Sequence, residues 1–100
     1  MAKQPAAEVT VSRLTDEEFQ VEVSDAEGKT RHTVQIDAAA VEKFGYGHPA
    51  ETLVATSFRF LLEREPKVSI LGSFDLSIVE KFFPEYATEM KSRLGADSTG

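Results

Sequence analysis

Between Ala50 and Arg64 the sequence carries one long stripe. Ala50, Leu53, Val54, Ser57, Phe58, Leu61 and Leu62 recur at i, i+3, i+4 and i+7 spacing, which an α-helix gathers onto a single face. Phe60 lies off that stripe and widens the buried arc. Pro49 stands where the first turn of a helix tolerates proline. The helix must stop at Glu65-Pro66, because proline cannot continue the hydrogen-bond ladder and disfavours helix in the residue before it. Eight of the nine aromatic residues, all but Phe19, lie between Phe44 and Tyr86. The core is therefore dominated by the C-terminal half of the chain.

The first third has a different period. Val9 and Val11 alternate with Thr10 and Ser12; Phe19, Val21 and Val23 with Gln20, Glu22 and Ser24; His32, Val34 and Ile36 with Arg31, Thr33 and Gln35. Alternation of this kind marks strands with one wet and one buried face. Thr15-Asp16-Glu17 joins the first pair of strands. Ala26-Glu27-Gly28-Lys29 joins the second, with Gly28 free to take a positive φ. The prediction is a three-stranded antiparallel meander.

After it, Asp37 caps a helix of about two turns over Ala38 to Phe44 that ends at Gly45. Val68 to Leu71 reads either as a short fourth strand or as a loop packed on the core. Ser73 or Asp75 caps the next helix, in which Leu76, Val79 and Phe83 face inward. Phe83-Pro84 marks a kink or restart, and Tyr86, Met90 and Leu94 recur every fourth residue in a last helix ending at Gly95. The expected fold is a two-layer α+β domain over residues 8–94, its meander packed on three to four C-terminal helices. Residues 1–7 read as a frayed leader and 95–100 as a disordered tail.

Composition narrows the function classes. One hundred residues with 41% hydrophobic and 28% charged fit one ordinary globular domain. The chain has no cysteine, so disulfides, thiolate metal sites and cysteine nucleophiles are excluded. The net charge of −6 opposes approach to nucleic acid and to anionic membranes. No run approaches the roughly 18 apolar residues of a membrane span, and MAKQPAAEV has no apolar signal region. The expected location is the cytoplasm, with no membrane association.

Candidate sites are few. His32 shares strand parity with Val34 and Ile36 and reads as a half-buried strand residue, since no serine or acid is placed beside it by spacing. His48, in Gly45-Tyr46-Gly47-His48-Pro49, is the better ligand candidate. Glycines let backbone approach a ligand, the loop precedes a helix N-terminus, and Tyr46 offers a stacking face. The glycine spacing of a dinucleotide site and the Lys-Ser/Thr pair of a phosphate loop are both missing. The alternative reading of Tyr46 and His48 is a plain helix–helix connector. No metal-ligand spacing appears, and Asp16-Glu17-Glu18 reads as a solvated hairpin end. Glu63 and Glu65 read as a helix terminus, and Glu89 pairs with Arg93 one turn on. No catalytic residue, cofactor site or metal site is expected.

The run Phe60-Leu61-Leu62-Glu63-Arg64-Glu65-Pro66, then Ser69-Ile70-Leu71, Phe74-Asp75-Leu76 and Phe83-Pro84-Glu85-Tyr86, resembles a group of short uncharacterised bacterial proteins that share this helical ending. The resemblance spans about Arg31 to Leu94. It implies a shared fold and carries over no activity and no site residue.

The expected function is a non-enzymatic protein-interaction or regulatory module. Its partner is another protein or a second copy, met through the bare edges of the first and third strands. Two alternatives stand beside it. One is a nucleic-acid-associated regulator using the C-terminal helices, whose second helix carries only Lys81 as a cation. The other is a small-ligand-binding protein using the Tyr46/His48 loop.

Overall fold

The computed structural model describes residues 7–95. The expected leader and tail lie outside these residues, apart from two border positions: Ala7 packs against the core, and Gly95 closes the last helical turn.

Period-two patterning produces the meander as expected. Strands β1 (Glu8–Thr15), β2 (Glu18–Asp25) and β3 (Gly28–Gln35) pair antiparallel in sequence order. Val11 faces Val21, and Phe19 faces Val34. Phe19, Val21, Val23 and Val34 are wholly buried beneath the sheet, while Val9 and Val11 on β1 are only half covered. Ala26 and Glu27 form the second turn, and Gly28 takes φ +133° on leaving it. The Asp25 carboxylate accepts the Glu27 N–H at 2.9 Å and fixes the turn from its entry side.

A fourth strand exists, one turn later than the apolar run suggests. Val68 to Leu71 is not a strand; Ile70 packs against the core, as the loop reading expects, while Val68 and Leu71 project outward. Lys67–Ser69 makes one 3₁₀ turn, and Val68 is 74% exposed. Strand β4 is Ser73–Asp75 and lies parallel to β3, Val34 opposite Phe74. Two facts place it there. The Thr33 N–H donates to the Gly72 carbonyl at 2.8 Å, and Phe74 drops under the sheet toward Phe58, ring centroids 6.0 Å apart. The third strand is thus a free edge only over its first half.

The second layer is helical. In α1 (Ala38–Phe44) the Asp37 carboxylate accepts the Ala40 N–H at 2.9 Å, the predicted cap. Helix α2 (Ala50–Arg64) buries Leu53, Val54, Ser57, Phe58, Phe60 and Leu61. Its stripe therefore faces the sheet as read from the sequence, with Phe60 included in the buried arc. Asp75 accepts the Ser77 N–H at 3.0 Å and starts a 3₁₀ turn that runs into α3 (Val79–Phe82). Pro84 separates α3 from α4 (Tyr86–Met90), which continues as a wide turn over Lys91–Gly95. Tyr86, Met90 and Leu94 are all buried.

Among the described residues, every buried side-chain nitrogen or oxygen has a hydrogen-bond partner, as a folded interior requires. Two of these groups matter below. Ser57 Oγ lies 2.8 Å from the Leu53 carbonyl and 2.6 Å from Tyr86 Oη. Lys67, 7% exposed, donates from Nζ to Asp25 at 2.8 Å and ties the chain after α2 to the β2–β3 turn.

Candidate functional site

An apolar concavity lies where β4 meets the C-terminal end of α2 and the start of α3. It is a cleft of about 380 Å³. Its walls are Leu61 from α2, Ile70 and Leu71 from the segment before β4, Phe74 from β4, and Ile78, Val79, Phe82 and Phe83 from the helical turns that follow. Only Glu65 and Ser69 contribute polar side chains to it. Two of the wall residues project into solvent: Leu71 is 52% and Phe82 67% exposed.

Local sequence explains why these two are left outside. Phe82 and Phe83 are adjacent, so a helical turn points them about 100° apart. Phe83 takes the inward position and packs edge-on against Phe60, centroids 5.8 Å apart. Phe82 is left on the rim. Leu71 precedes Gly72 at the point where the chain turns into β4, and its carbonyl, rather than its side chain, is anchored. His32 Nδ1 lies 2.8 Å from that carbonyl. A carbonyl only accepts, so Nδ1 carries the proton, and Nε2 lies 2.8 Å from Thr30 Oγ1. The ring also packs on Phe58, centroids 5.3 Å apart. His32 is thus a positioning residue for one wall of the cleft.

The Gly45–Pro49 loop is built differently. Tyr46 sits at φ 47° and Gly47 at φ 88°, two successive left-handed residues that turn the chain from α1 into α2. The His48 ring lies half-buried with Nε2 3.1 Å from the Leu94 carbonyl, so it holds the loop to the last helix. The Tyr46 ring lies against Gly95, where an added Cβ would stand 3.3 Å from Cδ1. Neither residue lines the apolar cleft or the three other concavities described beside it. The two residues are near neighbours in the fold, joined to the C-terminal helix rather than to a cavity.

Charged groups elsewhere are engaged with one another. Arg93 donates to Glu63 at 2.6 Å and to Glu89 at 3.1 Å, and Arg64 to Glu85 at 3.0 Å. The hydrogen bond that Arg93 donates to Glu63 holds the Glu63 carboxyl below its usual range and raises the Arg93 guanidinium further. Arg13 pairs with Glu51, Lys43 with Glu80, and Lys29 and Arg31 share Glu22. Glu17, Glu18, Asp37 and Asp75 line a separate concavity beside the β1–β2 turn. Among the described residues no group of three or more histidines or carboxylates is arranged to hold a metal ion, and no helix is long and apolar enough to cross a membrane.

Sequence reasoning did not single out the cleft. The available signal was the surplus of apolar residues outside every stripe, Leu71 and Phe82 above all. No family model, no curated protein and no solved structure matches the chain.

Proposed function

We propose that this protein is a non-enzymatic interaction module that docks a protein partner at the cleft between β4 and α3. The observation that carries this is the pairing of an apolar cavity with two large apolar side chains, Leu71 and Phe82, held out in water on its rim. Fully burying such a side chain is worth about 1.5–3 kcal/mol, and about half to two thirds of that is still to be gained at these two positions. A surface that keeps two of them exposed around a hollow is suited to being covered. The cleft walls are set by a buried histidine and by Phe74 on a paired strand, so the hollow exists before a partner arrives.

The alternatives gain less. Helix α3 carries Lys81 as its cation beside Glu80, a poor start for a nucleic-acid interface. The Tyr46/His48 loop spends its histidine on the Leu94 carbonyl.

The test is site-specific photocross-linking in the source cells, with a photoreactive residue replacing Leu71 and, as a control, Ser12 on the open face of the sheet. Discrete protein products are expected at position 71 and not at position 12. Absence of any product at 71, or the same products at both positions, refutes the docking role.

A further inference from the structure

We infer that the occupant of the cleft is a second copy of this chain, related by a two-fold axis beside Phe82, so that each Phe82 ring enters the other copy's cleft. This rests on the docking role proposed above. A two-fold contact requires one surface that carries both the projection and its receptor. Here the projection, Phe82, stands on the rim of the hollow it would fill, and about 380 Å³ admits an aromatic ring.

Charge gives a second, independent reason. Glu65 lines the cleft, and Lys81 precedes the projecting ring. Around them Glu63, Arg64, Lys67, Glu80 and Glu85 are all engaged in ion pairs within the chain. The side chains of Glu65 and Lys81 take part in none of the ion pairs or side-chain hydrogen bonds among the described residues. Inserting Phe82 carries Lys81 toward the other copy's Glu65, twice in a symmetric pair. An acid in the receptor and a base beside the projection make the surface complementary to itself.

The sheet edges, the other route to a dimer, are partly blunted, although Glu8 to Ser12 of β1 runs in regular register on the edge of the sheet. The β1 ladder is irregular between Arg13 and Thr15, and Arg13 turns inward to Glu51, two devices that blunt an edge. The uncovered half of β3 carries Lys29 and Arg31, which a two-fold pairing brings toward their own copies. Two buried phenylalanines supply on the order of 300–500 Å². A standard interface needs about 1,200 Å² or more, so Leu71, Ile78 and the cleft walls must add the rest. The dimer is accordingly a weak one, with a dissociation constant of roughly ten micromolar or above.

The experiment is sedimentation velocity on the full chain from roughly 5 μM to 1 mM at about 0.15 M salt, where the repulsion between like net charges is screened. The variants are F82A, K81E, E65K and the double swap K81E/E65K, each checked for folding by a urea melt. Reversible dimerisation of the parent is expected, weakened about tenfold or more by F82A and by each single reversal, and recovered in the double swap. A single-chain mass at every concentration overturns the inference, as does a dimer indifferent to F82A or one that the double swap fails to restore. Cross-linking at position 71 separates the two levels. A product of a mass other than two chains, with a monomer in solution, overturns the second copy and leaves the docking role intact. No product at all overturns both.

Discussion

The buried hydroxyl pair in the helical layer yields a prediction with a built-in asymmetry. Ser57 has one proton and the Leu53 carbonyl can only accept, so Ser57 donates to Leu53 and Tyr86 must donate to Ser57. Both residues are wholly buried. Replacing Tyr86 by phenylalanine removes a donor whose acceptor still has its own bond to make. The expected loss is about 1 kcal/mol. Replacing Ser57 by alanine strands the tyrosine proton without an acceptor, which costs about 1–3 kcal/mol. Alanine's better helix propensity returns about 0.5 kcal/mol of that. Removing both hydroxyls strands nothing, so the double variant S57A/Y86F should lose about 1 kcal/mol or less. The coupling between the sites is then about 1 kcal/mol. Urea melts read this directly, since 1 kcal/mol shifts the midpoint by roughly 0.3–1 M. If the double variant loses the sum of the two single losses, the hydroxyls are independent and the chain of donors is wrong. Burial also pushes the Tyr86 phenol up to about 12, so its absorbance should stay that of the neutral ring until near that pH.

Phe58 sits mid-helix with no exposure and touches His32 and Phe74; F58A should cost about 2–5 kcal/mol in a denaturant melt. Asp25 titrates below its ordinary value near 3.8, chiefly because Lys67 donates to it and then because the Glu27 N–H does. The unfolded chain takes up that proton at the higher value, so the contribution is complete above it and vanishes as pH falls through the folded value. The stability gap between parent and D25N should therefore be open at pH 7 and close in acid. Because D25N leaves an ammonium buried at the Lys67 position, it should also destabilise more than K67M does at pH 7. Removing the His32 anchor in H32A should speed hydrogen exchange at the Thr33 amide, which is held by Gly72, more than at the Val21 amide in the middle of the sheet. Equal protection at the two sites would mean that His32 does not hold the wall.

What was readable follows from the range of the forces involved. The meander and the α2 stripe are set by alternation within a few residues, and they appear where the pattern puts them. Asp37, Pro49 and Pro66 act on their immediate neighbours and could be read equally well. The fourth strand could not. Its position depends on which carbonyl meets the Thr33 N–H and on where Phe74 finds space under the sheet. Hydrophobicity alone favours Val68 to Leu71, whose outward Val68 contradicts it. Lys67 is buried because Asp25, 42 positions away, closes around it, and no local pattern announces that. The cleft is harder still, since it is made of residues left over from four elements. Tyr46 and His48 were visible as an unusual turn, but the carbonyl that takes up His48 belongs to Leu94.

The parallel junction of β3 with β4 also bears on the order in which the chain can fold. Strands β1 to β3 are joined by short turns and can zip locally in microseconds. The seam to β4 must wait, because His32 and Leu71 are 39 positions apart and closing so long a loop precedes any gain from the contact. During synthesis from the N-terminus the hairpins emerge first, with Phe19, Val21 and Val23 facing water until α2 arrives to cover them. Until then that apolar face is open to contact with other chains. The open flank of β3 is the side on which a nascent copy can mispair before its own β4 reaches the sheet.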